Sequence, residues 1–446
     1  MDANFLSQPG ETRRKFLKQA GIAATVYRLA GPAPVLAAAD LNSSISMGFI
    51  GVGIRGAYLA ESFTKTPGVR ATAVADLYDG RLEWAKETLG SGVATGKSYK
   101  ALLDRKDIDA VTVAVPDHWH SRMVLDALDA GKHVYCEKPL TWSIDEGKAI
   151  IDKQKKTGKL VMVGSQSKTS VLIAKARELV KAGAIGNVGM VRMTTFRNSP
   201  GGAWEYAVPL DASEKTIDWN QFLGRAPKVD FDAKRFFRWR CWWEYSGGVA
   251  TDLWVHLFTA LHEIMDVKAP KSAAAQGGLF KWKDGRTVPD VLGAWYEYQN
   301  FLLDISVNLT NGRGNGNDIV VMGTAGTLTF GPRGDSVIVQ HEGFPALVEE
   351  YGMGGWPKCA RKEYLDSLGY KDGKIPGGKA GAADEEIPVP KGLEHYEYFV
   401  ESLREGKPSR ETAEEGHFAA GAAHLGNMSY RQNKKLHWDW ASGRVS

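Results

Sequence analysis

The stretch Ile45-Ser-Met-Gly-Phe-Ile-Gly-Val-Gly-Ile-Arg-Gly56 carries more structural information than any other in this chain. Residues 45–50 are short and mostly apolar, the pattern of a buried strand. They run into Gly51, Gly53 and Gly56, spaced as G-x-G-x-x-G, and residues 57–66 then read as a helix. In that order each glycine has a physical role. Gly51 permits the tight turn, Gly53 lets the backbone approach a pyrophosphate, and Gly56 lets helix and strand pack closely. The helix N-terminus offers unpaired N–H groups and partial positive charge to the phosphates. A plain glycine turn has the same letters; the strand before it and the helix after it select the dinucleotide reading. Gly51, Gly53, Ile54, Arg55 and Gly56 are the expected cofactor contacts at this turn.

Residues 69–75 read as a second strand, ending at Asp76, 25 residues after Gly51. A carboxylate there accepts from the adenosine ribose 2′-OH and repels a 2′-phosphate, which favours NAD over NADP. The bland alternative is a helix cap, a task Asp79 fits equally well. Residues 110–115, 133–136 and 160–163 read as further strands, separated by helical stretches. Such alternation predicts right-handed βαβ units in a doubly wound parallel sheet. The strand ends then line one edge, where ligands bind. They carry Pro116-Asp-His-Trp-His120, Glu137-Lys138-Pro139 and Gly164-Ser-Gln166.

The glycine turn, the Pro116–His120 element and Gly131-Lys-His-Val-Tyr-Cys-Glu-Lys-Pro139 together resemble the glucose–fructose oxidoreductase and inositol dehydrogenase family (Gfo/Idh/MocA). The resemblance covers nearly all of the chain after residue 45. It implies two domains, 40–166 as an NAD-binding Rossmann domain and 167–446 as a substrate and oligomerisation domain; residues 1–39 read separately as a signal peptide, on the motif given below. The second domain is expected to be α+β, with an open, mostly antiparallel sheet, its C-terminal helices folding back on the first domain. The resemblance also places Pro116, Trp119, His120, Glu137, Lys138 and Gln166 against the cofactor.

In the second domain, residues 190–197, 291–298, 301–309, 319–322 and 327–330 alternate as strands, joined by hairpins such as Asn311-Gly-Arg-Gly-Asn-Gly316. Residues 331–392 are rich in Gly, Pro and charge and read as irregular; residues 393–405 and 410–432 read as helices. The informative segment is Ser246-Gly-Gly-Val-Ala-Thr-Asp-Leu-Trp-Val-His256. On a helix Asp252 and His256, at i and i+4, share a face. The segment matches the family's Gly-Gly-x-x-x-Asp-x-x-x-His element, which implies a place over the nicotinamide beside Lys138. Oxidising a secondary alcohol removes hydride from carbon and a proton from oxygen. His256 suits the proton acceptor, Asp252 suits orienting the imidazole, and Lys138 suits stabilising the oxygen. An i,i+4 Asp–His pair is commonly a surface pair; its company with Glu137-Lys138-Pro139 raises it to a candidate catalytic set. His262, off that face, reads as structural. His118 and His120 do not read as a metal site, because no Cys or carboxylate cluster accompanies them.

Arg235-Phe-Phe-Arg-Trp-Arg-Cys-Trp-Trp-Glu-Tyr245 is dense in aromatics just before that segment. Aromatic faces suit the C–H faces of sugars and arginine suits their hydroxyls. Trp239 and Arg240 are the candidate substrate contacts; core packing is the plainer explanation for any single Trp.

Lys plus Arg outnumber Asp plus Glu by 56 to 52, a net +4, and most of the excess lies before residue 40. That balance argues against a nucleic-acid partner. No long uncharged apolar run suggests a membrane span, and three cysteines build no disulfide framework. Thr12-Arg-Arg-Lys-Phe-Leu-Lys18 resembles a twin-arginine export motif, and the apolar stretch after it ends in Ala37-Ala-Ala39 before Asp40. That route carries folded proteins, so export and a tightly bound NAD are expected together.

The expected activity is oxidation of a secondary hydroxyl of a sugar, glycoside or polyol. The alternative is a redox-neutral glycosidase or 3-keto-sugar lyase of the same family, a branch whose motif lacks the lysine; Lys138 therefore favours the dehydrogenase. A sugar-binding protein without activity fits poorly with Lys138, Asp252 and His256 together. An open sheet needs a cover, so a homodimer or homotetramer is expected.

Overall fold

The computed structural model describes residues 44–313, 317–343, 350–368 and 381–446. The proposed signal segment lies outside the described residues. Six strands form the first sheet: β1 (Ile45–Ile50), β2 (Val69–Ala75), β3 (Ala94–Gly96), β4 (Ala110–Val113), β5 (His133–Cys136) and β6 (Val161–Val163). Their order is β3-β2-β1-β4-β5-β6, and every pair is parallel. All six residues of β1 are buried, as a central strand covered on both faces requires. The order reverses between β1 and β4, so a crevice opens beyond their carboxyl ends.

Helices α1 (Ile54–Lys65), α2 (Asp79–Leu89), α3 (Tyr99–Leu103), α4 (Asp117–Asp129) and α5 (Glu146–Thr157) connect these strands. Pro116 is the N-cap residue of α4, and Asp117-His-Trp-His120 is its first turn, without a side-chain cap.

Helix α6 (Val171–Lys181) leads into the second sheet, of ten strands, whose first strand is followed by helices α7 (Trp219–Leu223), α8 (Ala233–Phe237) and α9 (Val255–Met265). These are β7 (Val188–Phe196), β8 (Ser272–Gly278), β9 (Val291–Glu297), β10 (Leu302–Asn308), β11 (Asn317–Gly323), β12 (Gly326–Phe330), β13 (Ser336–His341), β14 (Glu385–Pro388), β15 (Leu436–Asp439) and β16 (Arg444–Val445). The order is β14-β13-β12-β11-β7-β10-β9-β8-β15-β16. All pairs are antiparallel except β7 with β10. The two-domain class is therefore a parallel doubly wound sheet followed by a mostly antiparallel one.

Two details differ from the sequence reading. Strand β7 lies between β10 and β11, so the glycine-rich segment after residue 310 does not close a hairpin. Its local turn chemistry carries no information about a strand inserted from more than a hundred residues earlier. Residues 331–392 are not wholly irregular: they supply β13, α10 (Lys358–Ser367) and β14. Strand β14 is Glu-Glu-Ile-Pro at the sheet edge, where charge and proline blunt further pairing while lowering its strand signal.

One face of the second sheet packs Val191, Met193, Leu292, Ala294, Tyr296, Leu303, Ile305 and Val307 into the main core. The other presents Trp295 and Leu302, both exposed, beside the Arg192–Asp304 ion pair. Helices α11 (His395–Glu405) and α12 (Ala413–Gln432) return toward the first domain. Phe399, Val400 and Leu403 of α11 join a core with Phe63, Tyr135 and Met162. Full burial of a side chain such as Phe399 stabilises the fold by about 1.5–3 kcal/mol. Helix α12 starts with a capping box from Thr412 and Glu415. Small residues let it sit close to both sheets: Gly416 faces Val163 and Gly426 faces Tyr296.

Candidate active site

The cleft lies at the β1/β4 switch point and is walled by both domains. Gly51 has φ +81°, and a Cβ there would meet the Ala114 carbonyl oxygen at 2.5 Å. A Cβ on Gly56 would lie 2.0 Å from the Gly51 oxygen, so helix and strand tolerate nothing larger. Gly53 precedes α1 without any side-chain cap, which leaves the first N–H groups of this 12-residue helix open toward the cleft. The turn is thus shaped for a dinucleotide pyrophosphate. Ile54 lines the cleft and is 68% exposed, an apolar side chain without cover. Arg55 reaches across to Glu137, with Nε 2.7 Å from Oε1.

Asp76 is buried at the end of β2 and accepts from Val52 N at 2.8 Å and Tyr78 N at 3.1 Å. Arg81 lies 3.4 Å from its Oδ1. A carboxylate has about four acceptor positions, so Asp76 both braces the glycine turn and retains capacity for a ribose hydroxyl. The spacing of Asp76 was legible in the sequence; its bracing of the turn was not.

A segment of the second domain crosses this end of the cleft. Asp79 N donates to Thr216 O and Asp218 N to Leu77 O, each at 3.0 Å. The Tyr78 hydroxyl donates to Asp211 at 2.6 Å; burial, with that acceptor, pushes the phenol up to about 12. The Arg81 guanidinium sits 5.3 Å from both the Phe236 and Phe237 rings. Part of the aromatic segment therefore closes over the Asp76 end of the cleft, a place the sequence reading did not give it.

At the opposite end, Lys138 follows β5 and is joined to Pro139 by a cis peptide. Its Nζ donates to the Asp252 carbonyl and to Asp252 Oδ1, both at 2.8 Å. Arg240 Nε donates to the same Oδ1 at 2.9 Å, and Trp204 Nε1 to Oδ2 at 3.1 Å. Burial opposes ionisation of Asp252, but the Lys138 and Arg240 charges overcome it and hold the carboxyl well below its usual range. The expected Asp252–His256 hydrogen bond is not made. Residues Ala250–Trp254 form a π-helical turn before α9 (Val255–Met265), and its wider winding breaks the simple i,i+4 pairing. Asp252 turns to the two cations instead.

His256 lines the cleft and makes no side-chain hydrogen bond to a described residue. Burial depresses its imidazolium to about 3, helped by the Lys138 charge and opposed by Asp252, so the ring is neutral near neutral pH.

Trp119 lines the cleft, and its Nε1 donates to Phe222 O at 2.9 Å. Pro116, Glu137 and Gln166 line it too, with Gln166 Nε2 donating to Gly164 O at 2.8 Å. His120 sits beneath the wall instead. It is buried, with its nitrogens 2.5 Å from Pro139 O and 2.8 Å from Val115 O, so it braces the two strand ends and does not line the cleft. His118 faces Phe222 O at 2.9 Å, and burial lowers it to about 4. His262 faces the Tyr298 hydroxyl at 2.9 Å. Among the described residues, no three His, Cys, Asp or Glu side chains gather as a metal site.

The first turn of α4 is tied to the glycine segment before the π-turn. Asp117 accepts from Gly247 N at 3.1 Å and from the Thr251 hydroxyl at 3.2 Å. Lys138 and His256, from different domains, are thereby held in one wall.

Trp239 lines the cleft and stacks under Arg240, whose guanidinium is 4.2 Å from its ring centroid. Arg240, read from sequence as a substrate contact, also locks Asp252. Trp204 holds φ 63°, which residues other than glycine rarely adopt. Buried Arg286 secures that turn by donating to Ala203 O at 2.9 Å. The link from Trp204 to Asp252 had no sequence signal beyond nearness to the aromatic segment.

Two family models match the chain: "Oxidoreductase family, NAD-binding Rossmann fold" over residues 45–165, and "Oxidoreductase family, C-terminal alpha/beta domain" over residues 177–436. Among curated relatives, the chain is 33% identical over 147 residues to a scyllo-inositol 2-dehydrogenase (NAD(+)) of Bacillus subtilis, covering 33% of this chain and 43% of the relative. It is 36% identical over 127 residues to an alpha-N-acetylgalactosaminidase of Shewanella oneidensis, covering 27% of this chain and 28% of the relative. The matches thus span less than half the length of these relatives. An aldose-aldose oxidoreductase from Caulobacter crescentus, solved with glycerol, shares the fold at a TM-score of 0.61 and 17% identity, over 88% of this chain and 99% of that one. Family matches that take in both walls of the cleft mean that this chain belongs to the Gfo/Idh/MocA oxidoreductase family, with an NAD-binding Rossmann domain and a C-terminal α/β domain.

Proposed function

We propose that this protein oxidises a secondary hydroxyl of a sugar, glycoside or polyol, using an NAD that stays bound between turnovers. The observation that carries this reading is the convergence of the Lys138 ammonium and the His256 imidazole on the cleft that begins at the glycine turn. When bound, a nicotinamide supplies the hydride acceptor. His256 is neutral and accepts the hydroxyl proton. Lys138 spends two of its donors on Asp252, and the third stabilises negative charge on the substrate oxygen. Asp252 acts on the ammonium and on Arg240, not on the imidazole. Trp239 offers a flat face to a sugar ring.

Asp76 supports NAD over NADP. Asp76→Asn keeps an oxygen for Val52 N but removes the charge, leaving Arg81 beside the ribose. Its preference for NAD over NADP is expected to fall by about 10-fold or more, as one lost charge interaction of roughly 1.4 kcal/mol gives. Titration of both nucleotides checks this; an unchanged ratio removes Asp76 from the discrimination.

The segment that crosses the adenosine end supports retention of the cofactor, and Thr12–Lys18 supports export by the twin-arginine route. The exposed Trp295 and Leu302 on the sheet's outer face support a homodimer or homotetramer.

The decisive experiment adds a panel of sugars and polyols to the purified protein without extra nucleotide. The expected result is nicotinamide absorbance rising to one equivalent per cleft. Similarity to the galactosaminidase favours a second reading, redox-neutral glycoside cleavage. Release of nitrophenol from a nitrophenyl glycoside, with no net reduction of nucleotide by any sugar, establishes that reading over the first.

A further inference from the structure

We infer that the substrate carries a carboxylate, seated on Arg197, and so belongs to the uronic acids or their glycosides. This rests on the sugar-oxidation reading above and narrows it. Arg197 follows the last residue of β7, where its N–H donates to Asn308 O at 2.9 Å. Its side chain lines the cleft together with Trp204, Tyr206, Trp239, Arg240 and His256.

The other three arginines lining this cleft are each answered by a carboxylate: Arg55 by Glu137, Arg81 by Asp76 and Arg240 by Asp252. Arg197 has no such partner among the described residues. Its Nε is buried without any acceptor. Asp252 is near enough for its charge to be felt. However, Asp252 already receives Lys138 and Arg240 on Oδ1 and Trp204 on Oδ2, and no donor comes to it from Arg197. Burial is the main influence on Arg197 and lowers its pKa, as for a cation kept from water without compensation. A guanidinium stays charged in proteins, and a partly buried unpaired charge is costly. An anion arriving with the substrate would remove that cost.

Charge at this end of the cleft points the same way. Lys138, Arg197 and Arg240 face the single carboxylate of Asp252. The oxygen losing its proton answers one cation, and Arg197 remains over. A single planar guanidinium fork matches one planar carboxylate; a phosphate, with about twice the charge, draws several donors. Tyr206, whose hydroxyl makes no hydrogen bond to a described residue, stands beside it to orient the group.

The test uses the full chain with its retained nucleotide. Methyl glucuronide and methyl galacturonide are compared with the methyl glycosides of glucose and galactose, and with glucose 6-phosphate, by nucleotide reduction and by calorimetric binding. The expected single-turnover rate constant of nucleotide reduction over Kd for a uronide exceeds that of its neutral counterpart by about 10²-fold, the worth of a buried charge-assisted pair. Arg197→Gln collapses that ratio toward one and weakens uronide binding by a similar factor, while Arg197→Lys restores part of it. Neutral glycosides turned over as well as uronides, or a ratio untouched by Arg197→Gln, overturns the inference and leaves sugar oxidation standing. Preference for glucose 6-phosphate overturns the carboxylate. Uronide binding that depends on Arg197 without any nucleotide reduction supports the anion site and overturns the oxidation reading instead.

Discussion

His256→Ala is expected to lower kcat by about 10²–10⁴-fold, the usual worth of a positioned general acid or base, with nucleotide binding unchanged. The separation follows from position. His256 stands on α9 in the second domain, whereas the glycine turn and Asp76 belong to the first. Its ring has no hydrogen bond to a described residue, so its removal breaks no network and the fold should persist. Its pH signature is distinct. An ordinary histidine near pKa 6.5 would lose its base form as pH falls through 6.5. Here the imidazolium is depressed to about 3, so the neutral base persists well below that value. The acid limb of kcat/KM in the wild type is therefore expected below pH 5. Single-turnover reduction of the retained nucleotide, followed across pH, measures both effects. An unaltered rate in His256→Ala removes this residue from proton transfer.

Lys138→Met is expected to lower kcat/KM by at least about 10²–10³-fold, the range for one lost donor to a developing oxyanion. Methionine, one atom shorter, conserves the unbranched apolar stem of the side chain but not its charge. Asp252 keeps Arg240 and Trp204 as donors, so the carboxylate is not left unpaired and folding should survive. Lys138→Arg is not expected to restore activity. A planar guanidinium cannot reproduce the pair of 2.8 Å contacts to the carbonyl and carboxylate of one residue while aiming a third donor into the cleft. A wild-type rate in Lys138→Met would exclude the ammonium from the chemistry. Unimpaired nitrophenyl glycoside cleavage in the same variant would favour the redox-neutral reading.

The first domain was legible because its signals are local. A buried strand, a glycine turn and a helix follow one another within twenty-odd residues, and each glycine answers a steric demand set by its neighbours: Gly51 against Ala114, Gly56 against Gly51. The Glu137-Lys138-Pro139 element and the Asp252–His256 segment could likewise be picked out as candidates from their order along the chain. Their mutual geometry could not. Asp252 is four residues from His256 in sequence yet bonds Lys138, more than a hundred residues away, because a π-helical turn redirects it toward two buried cations.

The outcome for His120 was equally non-local. Adjacent to Trp119 in sequence, it faces the carbonyls of Pro139 and Val115 instead of the cleft, because successive helical residues point in different directions. Nor did composition reveal that Phe236 and Phe237 cover the Asp76 end of the cleft, or that Arg197 lacks, among the described residues, the carboxylate its neighbours possess. By itself the sequence determined the dinucleotide turn, the class of both sheets and the candidate residues for proton and charge transfer, since strand periodicity and glycine sterics act between near neighbours. Only the tertiary structure decided which charges pair and which remain unanswered, because a charge is settled by whatever lies within a few ångströms in space, however distant along the chain.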